Sequence, residues 1–117
     1  MALRTTPKSD VRTPGLWTAP RRSGSAHIKD QLFRSSTSVA ANYAEASVPE
    51  SRKDFVHKMN IALKELVETR MWLRIIVLQQ FIAEKTLSSL LQETDALAKI
   101  FHASVMTARR RLATDGS

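Results

Sequence analysis

Glu65 and Glu68 stand one helical turn apart, with Lys64 beside them and with Arg34 and Glu45 on a preceding stretch. Two carboxylates at this spacing share a helix face with Thr69 and Trp72, and could divide acid and base roles or hold two metal ions. The di-metal arrangement also needs a Glu followed three residues later by a His on a facing helix. The chain contains no such pair. The residues read better as a polar network of Arg34, Asn42, Glu45, Glu65 and Glu68 that fixes helix pairing and register, each buried member requiring a partner. Asp54 and His57 also lie one turn apart, but His27, His57 and His102 fall on three separate helical stretches. Ser35, Ser36 and Ser38 have no His or Lys at triad-like spacing and read as close-packing or back-bonding hydroxyls. No catalytic residue, cofactor or metal is expected.

Charge offers a second kind of chemistry. The formal net charge is +7, and it is unevenly placed. Residues 1–24 hold Arg4, Lys8, Arg12, Arg21 and Arg22 against Asp10 alone, and the C-terminal end holds Arg109, Arg110 and Arg111 against Asp115. The residues between are almost neutral. Cationic ends attract polyanions by releasing their counterions. Arg12, Arg21, Arg22, Arg109, Arg110 and Arg111 are therefore the expected phosphate contacts, without sequence readout. Trp17 among the N-terminal arginines has the aromatic-plus-basic look of a single-strand binder. The competing reading makes these ends solubilising tails, with the Arg triplet placed to suit a helix C-terminus.

Three helices must position these groups. Pro7, Pro14, Pro20, Gly15 and Gly24 punctuate residues 1–24, which read as an irregular or disordered segment. Residues 25–112 form the expected helical domain, and 113–117 a disordered tail. From 25 to 115 there is no glycine and a single proline, Pro49. The first helix is expected over 26–46, on a stripe of Ile28, Leu32, Val39, Tyr43 and Ala46. Its neighbouring positions are small and polar (Ser35, Ser36, Ser38, Ala40, Ala41, Asn42), as suits close approach of another helix. Ser51 caps a second helix over 52–79, with Asp54 three residues on. Phe55, Met59, Ala62, Leu66, Thr69, Leu73, Ile76 and Gln80 form its heptad-like seam. The third helix, over 86–111, turns Leu87, Leu90, Leu91, Leu97, Ile100, Phe101 and Val105 inward. Ile61, Leu63, Trp72, Ile75 and Val77 give the second helix another apolar side, which calls for a fourth helix or neighbouring subunits. Ala41, Tyr43 and Trp72 are the expected assembly face.

No apolar run approaches the roughly 18 residues that span a membrane, and there is no signal-peptide core. The absence of cysteine excludes disulfides and thiolate metal sites. A cytoplasmic protein with no membrane partner is the expectation.

Two blocks carry a family resemblance. The first is Gln31-Leu32-Phe33-Arg34-Ser35-Ser36-Thr37-Ser38-Val39-Ala40-Ala41-Asn42-Tyr43-Ala44-Glu45-Ala46. The second is Ser51-Arg52-Lys53-Asp54-Phe55-Val56-His57-Lys58-Met59, continuing through residues 61–69 to Trp72-Leu73. Glu93, Leu97 and Ile100 add a weaker match. Over about residues 27–108 the chain resembles the four-helix bundle family of ribosomal RNA intervening-sequence proteins and diversity-generating retroelement accessory proteins. The resemblance implies an all-α, antiparallel up-and-down bundle that assembles as a ring, typically a homopentamer, with no known enzymatic activity. Retroelement relatives are understood to bind a reverse transcriptase and nucleic acid. The family's additional helix before Gln31 is not expected from residues 1–24, which prolines interrupt, so the expectation is a shortened member, an altered start, or a helix supplied by a partner. The expected function is a non-enzymatic assembly protein binding RNA, DNA or a nucleoprotein through basic surfaces. The alternative is a protein-interaction scaffold, such as a reverse transcriptase accessory subunit, that does not touch nucleic acid.

Overall fold

The computed structural model describes residues 24–115, with every element helical: α1 Ser25–Ala46, α2 Arg52–Leu78 and α3 Glu84–Asp115. Residues 1–23, with Arg12, Trp17, Arg21 and Arg22, and residues 116–117 lie outside the described set. Successive helices run antiparallel. Arg34 and Glu45 of α1 meet Glu65 and Lys58 of α2, and Arg70 of α2 meets Asp95 of α3. The middle helix packs against both others, while no Cα atom of α1 lies within 8 Å of one in α3. The outcome is an open, elongated body of 61 × 23 × 20 Å. Its radius of gyration is 18.1 Å, against about 13 Å for a compact domain of this size.

The α2 seam is buried as expected from Met59 through Ile76, with Phe55 half-buried. Two apolar clusters result. Ala46, Met59, Ala62, Leu66, Phe101 and Val105 form one; Ile76, Phe81 and Leu87 form the other, with Ile28 and Leu32 against it. Leu63 packs on the first cluster and Val77 on the second, so α2's additional apolar residues are partly covered by the two flanking helices of the same chain.

Several expectations need correction. Gln80 does not extend the seam; it is exposed, with φ 60°. It occupies the left-handed position of a Schellman turn, in which Phe81 N–H donates to the Ile76 carbonyl at 3.0 Å and Gln80 N–H to Val77 at 2.9 Å. Leu90, Leu97 and Ile100 are exposed rather than inward. The face of α3 that meets α2 is Leu87, Leu91, Thr94, Ala98, Phe101, Val105 and Ala108, and Leu90, Leu97 and Ile100 turn toward the side where α1 stays away. Tyr43 is likewise half-exposed, although its ring stacks on Phe101 with centroids 5.6 Å apart. Of the small and polar positions of α1, only Ser35 is fully buried; Ser36, Ala40 and Ala41 face solvent. The third helix also runs past 111 to Asp115.

Candidate nucleic-acid interface

The antiparallel path brings the start of α2 beside the end of α3. Ser51 caps α2, its side chain accepting from Asp54 N–H at 2.9 Å, while the Asp54 carboxylate accepts from Glu50 N–H at 3.1 Å. Just inside this cap stand Arg52 and Lys53. The Arg triplet straddles them, because alternate residues of a helix diverge by about 200°. Arg109 shares a hollow of about 590 Å³ with Lys53, His57 and Asn60, and Arg111 shares one of about 710 Å³ with Arg52, Ser104 and Thr107. One end of the molecule thus gathers Arg52, Lys53, His57, Arg109 and Arg111. Asp54 is the acid on these walls, and its carboxylate is engaged in the cap. Arg110 joins neither hollow and makes a long contact to Thr107 at 3.4 Å.

This placement revises the macrodipole reading of the triplet. With α3 continuing to Asp115, its last turn holds no basic residue. Helix-end stabilisation fades within that turn, so it accounts for little of the three arginines.

The expected polar network divides into three parts. Arg34 pairs with Glu65 at 3.3 Å and makes a close contact with Glu68, whose carboxylate also accepts from the Trp72 indole N–H at 3.1 Å. Hydrogen bonds from Trp72 and then Arg34 hold the Glu68 carboxyl below its usual pKa. Glu68 and Glu65 in turn raise that of Arg34. Glu45 stands apart and pairs with Lys58, raising the pKa of that ammonium. Asn42 bonds within α1 rather than between helices, its amide donating to the Ser38 carbonyl at 2.9 Å. Each carboxylate is matched to a cation or an N–H donor, an arrangement suited to register rather than proton transfer. Among the described residues no group of three or more His, Asp or Glu side chains could hold a metal ion.

The expected assembly face is not one surface. Ala41 and Tyr43, two residues apart, point to opposite flanks of α1, and Trp72 sits on α2 with its ring edge-on to His27. A different stripe emerges on the outer side of α2. Val67, Met71 and Leu78 are 43%, 44% and 77% exposed and fall within about 40° of one another.

Sequence reasoning also missed Arg52 and Lys53, and weighed His57 only beside Asp54. The available signal was the hairpin itself. Folding α2 against α3 about the turn at 79–83 places residues 53–57 opposite 108–112.

The profile of the 23S rRNA-intervening sequence protein family matches residues 18–103. The chain belongs to that family. A solved structure of a protein with unknown function from the S23 ribosomal protein family of Bacteroides thetaiotaomicron is similar at a TM-score of 0.64 and 35% identity. The similarity covers 67% of this chain and 72% of that one. No curated protein matches significantly. Within this intervening-sequence family member, Arg52, Lys53 and His57 lie inside the matched residues, whereas Arg109, Arg110 and Arg111 lie beyond them. No described helix is long and apolar enough to cross a membrane.

Proposed function

We propose that this chain is a non-enzymatic assembly protein of the cytoplasm that binds RNA or DNA electrostatically. The observation that carries the proposal is the convergence of Arg52 and Lys53 from α2 with Arg109 and Arg111 from α3 at one end of the molecule. These side chains suit phosphate contacts, which position a nucleic acid without reading its sequence. Copies arranged as a ring, a homopentamer by family resemblance, would repeat this end around one rim and multiply its field. The outer α2 stripe of Val67, Met71 and Leu78 is the apolar surface available for such assembly. The test is oligonucleotide binding across a salt series. Affinity falls steeply with salt, and the Arg109→Ala/Arg111→Ala variant loses roughly 0.7–0.9 of log–log slope per phosphate contact removed. Absent or salt-insensitive binding by the full-length protein rejects the reading.

The same α2 stripe favours a second reading, in which it seats another protein, such as a reverse transcriptase, and nucleic acid is not bound directly. That complex would survive high salt, nuclease and Arg109→Ala/Arg111→Ala, the change that weakens binding under the first reading, and would be lost on Met71→Glu.

A further inference from the structure

The hollow that Arg109 shares with Lys53 has a second one in line with it. Arg70 and Arg74 of α2 and Lys99 and His102 of α3 surround a space of about 550 Å³. Residues spaced by sevens return to nearly the same side of a helix. Lys53, Asn60 and Arg74 are so related on α2, as are Asp95, His102 and Arg109 on α3. Both hollows therefore open on one flank of the α2–α3 hairpin. No residue of α1 lines either of them. The opposite flank holds a cleft of about 580 Å³ between α1 and α3, and no charged side chain lines it.

The Arg70–Asp95 pair, at 2.7 Å, sets the register of the two helices. Counting along the antiparallel pair from that contact, Lys99 falls level with Leu66, His102 with Leu63 and Arg109 with Val56. At about 1.5 Å per residue, the basic side chains from Lys53 to Arg74 follow one another over about 31 Å, with no interval above about 9 Å. That interval is close to the Debye length of about 8 Å at physiological salt, so their fields merge into one strip. Lys53, Arg70, Arg74, Lys99 and Arg109 outnumber the two acids on these walls, Asp54 and Asp95. Both carboxylates are engaged, one in the α2 cap and the other with Arg70. Arg74, Lys99 and Arg109 are exposed.

We propose that this flank is a track for the sugar–phosphate backbone of a single nucleic-acid strand, running from the basic end to Arg74; it rests on the reading of that end as a phosphate site. Two packed helices make the track straight, whereas either strand of a duplex winds away from a straight line. A strand stacked at about 3.4 Å per nucleotide passes about nine phosphates over this length, and a stretched one fewer. Apart from His57 and His102, the walls of the two hollows hold no aromatic ring. Base stacking therefore contributes little, and the grip is on the backbone. Such a strand is held without regard to sequence and with a strong dependence on salt.

The test is fluorescence anisotropy of the full-length protein with labelled oligothymidylate and oligouridylate of about ten nucleotides, across a salt series. Arg74→Ala and Lys99→Ala should each lower the log–log salt slope by about 0.7, the single-strand value per phosphate contact. Lys85→Ala, an equal loss of charge at an exposed site off the track, should leave it unchanged. A slope lowered by Arg109→Ala/Arg111→Ala but indifferent to Arg74 and Lys99 would overturn the track while leaving the basic end as the binding site. An equal fall in Lys85→Ala would reduce the effect to net charge and overturn the track too. Tighter binding of a duplex of the same length, with the same dependence on Arg74 and Lys99, would overturn the assignment to a single strand. Absence of any salt-dependent binding would reject the reading of the basic end, and the track with it.

Discussion

The two flanks of α1 differ in how they meet the rest of the chain. Toward α2, the completely buried Ser35 lets the helices close. Thr69 Oγ1 donates to Ser35 Oγ at 2.9 Å, and Ser35 Oγ donates to the Leu32 carbonyl at 3.2 Å. Ion pairs from Arg34 and Glu45 bracket that contact. Toward α3, α1 turns Ser36, Ala40 and Tyr43 to the apolar Leu97, Ile100 and Phe101, yet the helices stay apart, linked across the gap by the stacked Tyr43 and Phe101 rings. Close approach of two helices therefore follows from a small residue at the crossing and matched polar partners. Apolar bulk alone does not draw α1 and α3 together, because both are already docked on α2 and the distance between them follows from that docking.

This contrast can be broken most forcefully at Ser35. Replacing it with Leu overpacks the α1–α2 crossing and should cost about 1–3 kcal/mol in denaturant unfolding. By comparison Phe33→Ala, which removes a large apolar side chain of α1 at a site 71% exposed, should stay within about 0.5 kcal/mol. If Phe33→Ala costs more than Ser35→Leu, the ranking of the two flanks is reversed. A smaller effect is expected from Thr69→Val, which leaves Ser35 its backbone acceptor and removes the Thr69 hydroxyl's contacts to Ser35 and to the Glu65 carbonyl, for about 1 kcal/mol. An unchanged unfolding midpoint would show that shape alone governs the crossing.

The smallest effect concerns pH. Folding lowers the pKa of Glu68 through Trp72 and then Arg34. Its contribution is therefore fully present above the ordinary glutamate value and is lost as pH falls through the lowered folded value. Glu68→Gln should flatten that acid limb of the stability profile while leaving neutral-pH unfolding little changed, since the group is exposed and solvent-screened. A wild-type and variant profile of identical acid slope would remove the pair from the account of register.

Much of the fold was legible because α2 and its cap follow local rules. The four-and-three spacing from Met59 to Ile76 survives intact in the buried seam, and Ser51 with Asp54 forms the expected cap. The third helix was harder to read. Leu90, Leu97 and Ile100 fit an apolar stripe as well as Thr94, Ala98 and Ala108 do, and hydrophobicity alone cannot choose between adjacent stripes of one helix. Gln80 misled for a related reason: it fell on the seam's period, while a left-handed turn normally announces itself with glycine. At the candidate site, the Arg triplet was visible as a run. Arg52 and Lys53 were hidden by some fifty intervening residues, and only the hairpin brings them alongside.

Sequence by itself determined the helices, their punctuation at Pro49 and the 79–83 turn, the α2 seam and the excess of charge at the ends. These depend on propensity, periodicity and composition, which act over a few residues. The tertiary structure decided that α2 would be the shared centre and that α1 and α3 would leave a cleft. It also decided that basic residues from two helices would meet at one end. Those outcomes depend on where whole helices dock, and docking is set by shape at a few crossing points that no local pattern records.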